Sequence, residues 1–171
     1  MVSSEGTEHQ ALLNALGLSR EYLIESLDGL DEDALRRPIL PSGWTCLGLI
    51  NHLALDVERF WFQAVVAGKQ DAISDVLATS SDNAWVVGED VPVASILESY
   101  RLNIEEANEI IVSSSLDGPP AWWPEEIFGS WRFDTVLDIV LHSLRETATH
   151  AGQLDAVREL IDGKLHVVLT D

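Results

Sequence analysis

The chain has 171 residues, 46% hydrophobic and 23% charged, the balance of a single globular domain, residues 1–171, with one sizeable core. A net charge of −19 repels phosphate backbones and anionic lipid, which excludes nucleic acid and the membrane surface as default partners. The lone cysteine, Cys46, forbids an internal disulfide; with no signal-peptide pattern in MVSSEGTEHQ and no apolar run near ~18 residues, a cytoplasmic location is expected.

The first helical period runs from about Thr7 to Leu27, with Leu12, Leu16, Leu23 and Leu27 on one side. DGLDED breaks it, and Asp31 is placed to cap a short turn through Leu35. Pro38 and Pro41 make RPILPSG a connector, because each disfavours helix in the residue before it. The second helix starts at Thr45, an N-cap type, and ends near Ala67, before Gly68. Its stripe is Leu49, Leu53, Val57, Phe60 and Ala64. From Lys69 to Val91 the period blurs and turn residues dominate, so a long loop is expected.

In the third helix Val93, Leu97, Tyr100, Ile104, Ala107 and Ile111 alternate steps of four and three. A second long loop, AWWPEEIFGSWRF, is rich in aromatics. The fourth helix is expected to follow Asp134 as N-cap and to end near Ile161, before Gly163. The tail KLHVVLTD reads as an extended segment. Four amphipathic helices without a convincing sheet predict an all-α four-helix bundle with long loops after helices 2 and 3. Loops of that length are usually functional or disordered.

The fourth helix carries chemistry. His142, Glu146 and His150 recur every fourth residue. On a wheel of about 100° per residue, His150 falls at the centre of the buried stripe, Glu146 at its margin and His142 farther out. An ionised glutamate at a core margin is costly unless paired, and a divalent cation would pair with it. Residues four apart reach one ion, whereas His142 and His150 are about 12 Å apart along the axis. The pair is therefore Glu146 with His150, which the wheel favours, or His142 with Glu146. A histidine and a glutamate at this spacing also satisfy each other without any metal. His52 sits at the edge of the second helix's stripe with Asp56 one turn on, and periodicity alone does not aim it inward. His9 and His166 read as surface residues.

SGWTCLGLINHL, followed much later by ETATHAGQLDAVRE, resembles the DinB-like superfamily, and within it the branch linked to mycothiol S-transferases. The resemblance covers nearly the whole chain. It implies a four-helix bundle holding a divalent metal through three residues, which on this sequence are His52, Glu146 and His150. The glutamate is similar to the choice made in the metal-binding domain of mycothiol-dependent maleylpyruvate isomerases. Two histidines and a carboxylate leave positions open to water or substrate, as in catalytic zinc sites, while Ni²⁺, Mn²⁺ or Fe²⁺ would accept the same donors.

The expected function is transfer of a low-molecular-weight thiol, mycothiol or similar, to an electrophile, with thiol and electrophile as small-molecule partners. A homodimer is compatible. Trp122 and Trp123 are the candidate contacts for the electrophile, and Trp85 lies in the other long loop; the alternative is that these tryptophans plug the bundle end, while Trp44, Trp61 and Trp131 read as packing residues. Cys46 reads as a small buried residue rather than a nucleophile. A non-haem iron oxygenase would use the same donor set on a β scaffold, and a non-catalytic metal- or ligand-binding bundle is the remaining alternative.

Overall fold

Side-chain caps set where three of the helices begin. The Asp31 carboxylate accepts from the Ala34 amide at 2.8 Å and opens α2 (Glu32–Arg36). Thr45 accepts from the Gly48 amide at 2.9 Å and opens α3 (Cys46–His52). In the final helix the cap is Thr135, one residue after the expected Asp134. Its hydroxyl takes the Asp138 amide, and the Asp138 carboxylate takes the Thr135 amide in return. This reciprocal box satisfies two donors, where Asp134 as cap would satisfy one.

The structure, a computed structural model, describes residues 4–78 and 84–165, with side chains from residue 6 onward. Among these residues it is all-helical. α1 (Ser4–Glu25) is followed by α2 and α3, and α3 continues without a break into a π-helical stretch, Leu53–Val66. Then come α4 (Gln70–Ala78), α5 (Val93–Ser113), α6 (Glu125–Phe128) and α7 (Val136–Asp162). α1 packs on α7, and the π stretch packs on both α5 and α7. This is the four-helix bundle expected from the sequence. Gly163 ends α7 in the left-handed region at φ +77°, where a Cβ would be strained. The expected extended tail begins with Lys164 and Leu165, which carry no regular structure; residues 166–171, with His166, lie outside the described residues.

The long loop after the second helix is only partly a loop. Residues 70–78 form α4, which packs on the π stretch through Ala72 and Ile73. It buries few apolar residues, so its period does not stand out from the polar positions around it. The second loop contains the single turn α6 and is pinned to the end of the π stretch. The amides of Ala121 and Trp122 donate to the carbonyls of Val66 and Val65 at 3.2 and 3.1 Å.

The core holds more polar side chains than the apolar stripes suggest. Arg20 of α1 is 2% exposed and Glu58 of the π stretch 0%. They form a two-pronged ion pair, Nε to Oε1 at 2.7 Å and Nη2 to Oε2 at 2.5 Å, and Arg20 Nη1 also donates to Asn108. Burial pushes the Glu58 carboxyl up, and the Arg20 guanidinium opposes that shift. Gln63 donates to Asn103 at 2.7 Å, which is how α5 turns an asparagine inward beside Ile96, Ala107 and Ile110. The Tyr100 hydroxyl is buried without a hydrogen-bond partner among the described residues, a place suited to an ordered water.

Candidate functional site

His52 is the last residue of α3, at the junction with the π stretch. Past that junction the helix is wound more widely than 3.6 residues per turn, so a wheel drawn at 100° cannot aim His52. In the structure it faces α7. Its ring centre lies 5.2 Å from that of His150, with the planes crossed at 81°. His150 Nε2 lies 3.7 Å from Glu146 Oε2. His150 therefore lies beside each of the other two residues that the family resemblance joined, His52 across the helices and Glu146 on its own helix. His150 is buried and Glu146 half-exposed, as the wheel placed them.

Both rings are oriented by a neighbour on their own helix. His52 Nδ1 is 2.8 Å from Asp56 Oδ2, and His150 Nδ1 is 2.9 Å from Gln153 Oε1. Each bond fixes Nδ1 as the protonated nitrogen and leaves Nε2 as the free donor atom, the arrangement that supports histidine ligands around metals. Two donors ~2.1 Å from one tetrahedral ion stand roughly 3.4 Å apart, and two imidazoles on it have centres about 5 Å apart. The spacings of His150 to Glu146 and of His52 to His150 are close to both. The pairs do not extend to a set of three: among the described residues no group of three His, Cys, Asp or Glu is gathered closely enough to hold a metal ion as it stands.

His142 turns elsewhere. Its ring meets Trp61 at 4.9 Å and Phe133 at 5.1 Å, and its Nδ1 accepts from Arg145 Nη2 at 2.8 Å. It is less outward than the wheel indicated, because the aromatic loop folds over it. That loop forms a ring cluster: Trp123 is buried beside Trp61, Phe128, Trp131 and Phe133. Trp122 packs against Ala64, Ala72 and Ile73. Trp131 is 49% exposed at the cluster's edge, where its carbonyl accepts from Trp123 Nε1. His9 is tied to the Ser114 carbonyl at 3.0 Å.

The indole that touches the histidines is Trp85. It stacks on His52 at 4.2 Å and 18° and meets His150 edge-on at 5.3 Å. Sequence periodicity carries no signal for such a contact, since it is made from a loop.

A cavity of about 680 Å³ opens beside these rings rather than over them, along the π stretch, α4 and α6. Leu55, Phe60, Trp61, Val86, Ile127 and Phe128 form its apolar wall. Asp56, the partner of His52, also lines it, so site and cavity share a residue. Arg59 on its rim is committed to Asp71 and Asp75. Neither Trp122 nor Trp123 lines the cavity; Trp123 packs on Trp61 and Phe128 and Trp122 on Ala72. Cys46 is buried in the core, and burial pushes its thiol up to about 11. It stays protonated at neutral pH and offers no nucleophile.

Burial lowers the pKa of both His150 and His142. Above the unfolded value of about 6.5 both states are neutral and nothing is gained. Below it the unfolded chain takes protons that the fold resists, so metal-free protein loses stability as pH falls. Relief of the −19 charge works the other way. The doubly substituted His142→Gln/His150→Gln protein lacks the histidine penalty and is expected to gain stability over the parent between pH 7.5 and 5.5. Urea midpoints at both pH values measure this; an unchanged difference would contradict it.

No helix among the described residues is long and apolar enough to cross a membrane. No curated protein and no solved structure matches the chain. Over residues 11–163 the chain matches the model of one family, and by that match it belongs to the mycothiol S-transferases.

Proposed function

We propose that the protein is a metal-dependent thiol S-transferase that joins mycothiol, or a thiol like it, to an electrophile at His52, Glu146 and His150. The observation that carries this is the pairing of both Nδ1 atoms, with Asp56 and Gln153, which leaves two imidazole Nε2 atoms and a carboxylate as neighbouring donors. His52 and His150 would hold the ion as neutral ligands, and Glu146, 35% exposed and free to adjust, would supply the charge. Zinc suits this set best, and Ni²⁺, Mn²⁺ or Fe²⁺ are accepted by it. Bound there, such an ion lowers the pKa of a coordinated thiol and keeps it as thiolate near neutral pH.

The remaining work falls to the protein. The thiolate attacks carbon, the new S–C bond forms as the leaving group departs with its electron pair, and no protein nucleophile is consumed. The apolar wall of Phe60, Trp61 and Phe128 excludes water from the electrophile. With Arg59 already paired and Asp56 and Asp75 on the lining, the cavity favours a neutral electrophile over an anionic one.

The test is metal analysis of the purified protein together with conjugation of mycothiol to a neutral alkyl halide. One equivalent of metal with turnover is expected, and both are lost on chelation. Tight metal binding without turnover with any electrophile would leave a metal-binding bundle. Oxygen consumption by an iron-loaded protein would favour oxygenase chemistry.

A further inference from the structure

We propose that Trp85 is a positioning residue that sets the ring plane of His52, and that Gly48 is what allows it to do so. An imidazole has two side-chain torsions to fix. The Asp56 carboxylate holds Nδ1 of His52 at 2.8 Å, which restrains rotation within the ring plane but leaves the ring able to tilt. The indole of Trp85 lies nearly parallel against the ring face at 4.2 Å and removes that tilt. The same indole meets His150 edge-on, so one side chain from one loop registers two rings on two helices.

The loop is held for this purpose at three points. Asn51 Nδ2 donates to the Ala84 carbonyl at 2.7 Å. Arg36 of α2 donates to the carbonyls of Gly88 and Val91 at 3.1 and 2.5 Å. Trp44 meets the indole edge-on at 6.2 Å. Closest of all is Gly48, on α3 one turn before His52. A Cβ there would sit 2.1 Å from the Trp85 carbonyl oxygen and 3.0 Å from its carbon. That neighbour is backbone, so alanine at 48 cannot be absorbed by a side-chain shift and must push residue 85 away. Gly48 is helical and has no positive φ; its need for glycine is purely one of approach.

The inference rests on the metal reading for its purpose, and its first readout requires no metal. In metal-free protein, the His52 ring protons, assigned by their loss in His52→Asn, are expected upfield of ordinary histidine shifts because they lie over the indole. Trp85→Ala and Gly48→Ala should return them to ordinary values. Zn²⁺ affinity should then fall about tenfold or more in both variants, the effect usual for losing a residue that orients a ligand. Trp85→Phe, which keeps a ring to stack, should stay within a few-fold of the parent. Ordinary His52 shifts in the parent would overturn the proposal. So would Zn²⁺ affinity unchanged in Trp85→Ala, or as weak in Trp85→Phe as in Trp85→Ala. Shifted His52 protons that Gly48→Ala restores, in a parent that binds no Zn²⁺, would sink the metal reading while supporting the placement by Trp85.

Discussion

Glu58→Ala is expected to destabilise the protein by about 3–5 kcal/mol, the range for breaking a buried ion pair by removing one partner. The cost arises because Arg20 is left 2% exposed with, among the described residues, the Asn108 oxygen alone to accept from it. Two charge-assisted bonds vanish and the guanidinium cannot reach water without opening α1 from the bundle. Arg20→Ala should cost a similar amount by stranding the carboxylate. Replacing both together, Arg20→Met with Glu58→Leu, should be near neutral or stabilising, since the desolvation of both charges disappears with the pair. Urea unfolding of the single and double variants measures all three. A loss below about 1 kcal/mol in either single variant would mean that water reaches the pair.

His150→Ala is expected to abolish metal binding, whereas His142→Ala should leave it intact or weaken it by at most the 10 to 100-fold typical of a neighbouring support residue. The two histidines flank Glu146 symmetrically in sequence, and the structure separates them. His150 Nε2 lies beside Glu146 and near the His52 ring, while His142 is occupied by Trp61, Phe133 and Arg145. Titration of each metal-free variant with Zn²⁺ distinguishes them. Equal loss in both would favour a His142–Glu146 pair instead.

The long helices were legible because caps and periods agree. Thr45, Asp31 and Gly163 mark ends that the structure keeps, and Leu16, Leu23, Leu49 and Leu53 are buried where their spacing puts them. α4 was missed because a helix that packs through little more than Ala72 and Ile73 shows no stripe. Arg20 sits in register with Leu16, Leu23 and Leu27, and Asn103 with Ile96 and Ile110, yet charge and polarity hide them from a hydrophobic count. Only their partners, Glu58 and Gln63 on another helix, make their burial tolerable.

At the candidate site the wheel placed His150 and Glu146 correctly, because α7 is a regular helix. For His52 it gives only an edge position, which the half-buried side chain keeps, and no direction, because the chain changes from α to π winding there. Trp85 and the cavity were not legible, since both depend on how the loop after α4 returns across α3. Within SGWTCLGLINHL, Trp44, Gly48 and Asn51 all lie against that path.

The pH dependence of conjugation, with and without chelator, tests the central claim most directly. A free thiol of pKa about 8.5 loses reactivity roughly tenfold for each pH unit below that value. A thiol held as thiolate at His52, Glu146 and His150 should instead react at a nearly constant rate from pH 8.5 down to about 6.5. The rate should fall only where protons compete for the histidine ligands, and burial of His150 moves its share of that fall lower still. Chelator should remove the plateau. A chelator-insensitive rate that climbs with ionisation of the free thiol would contradict the account and leave the three residues without a part in activating it.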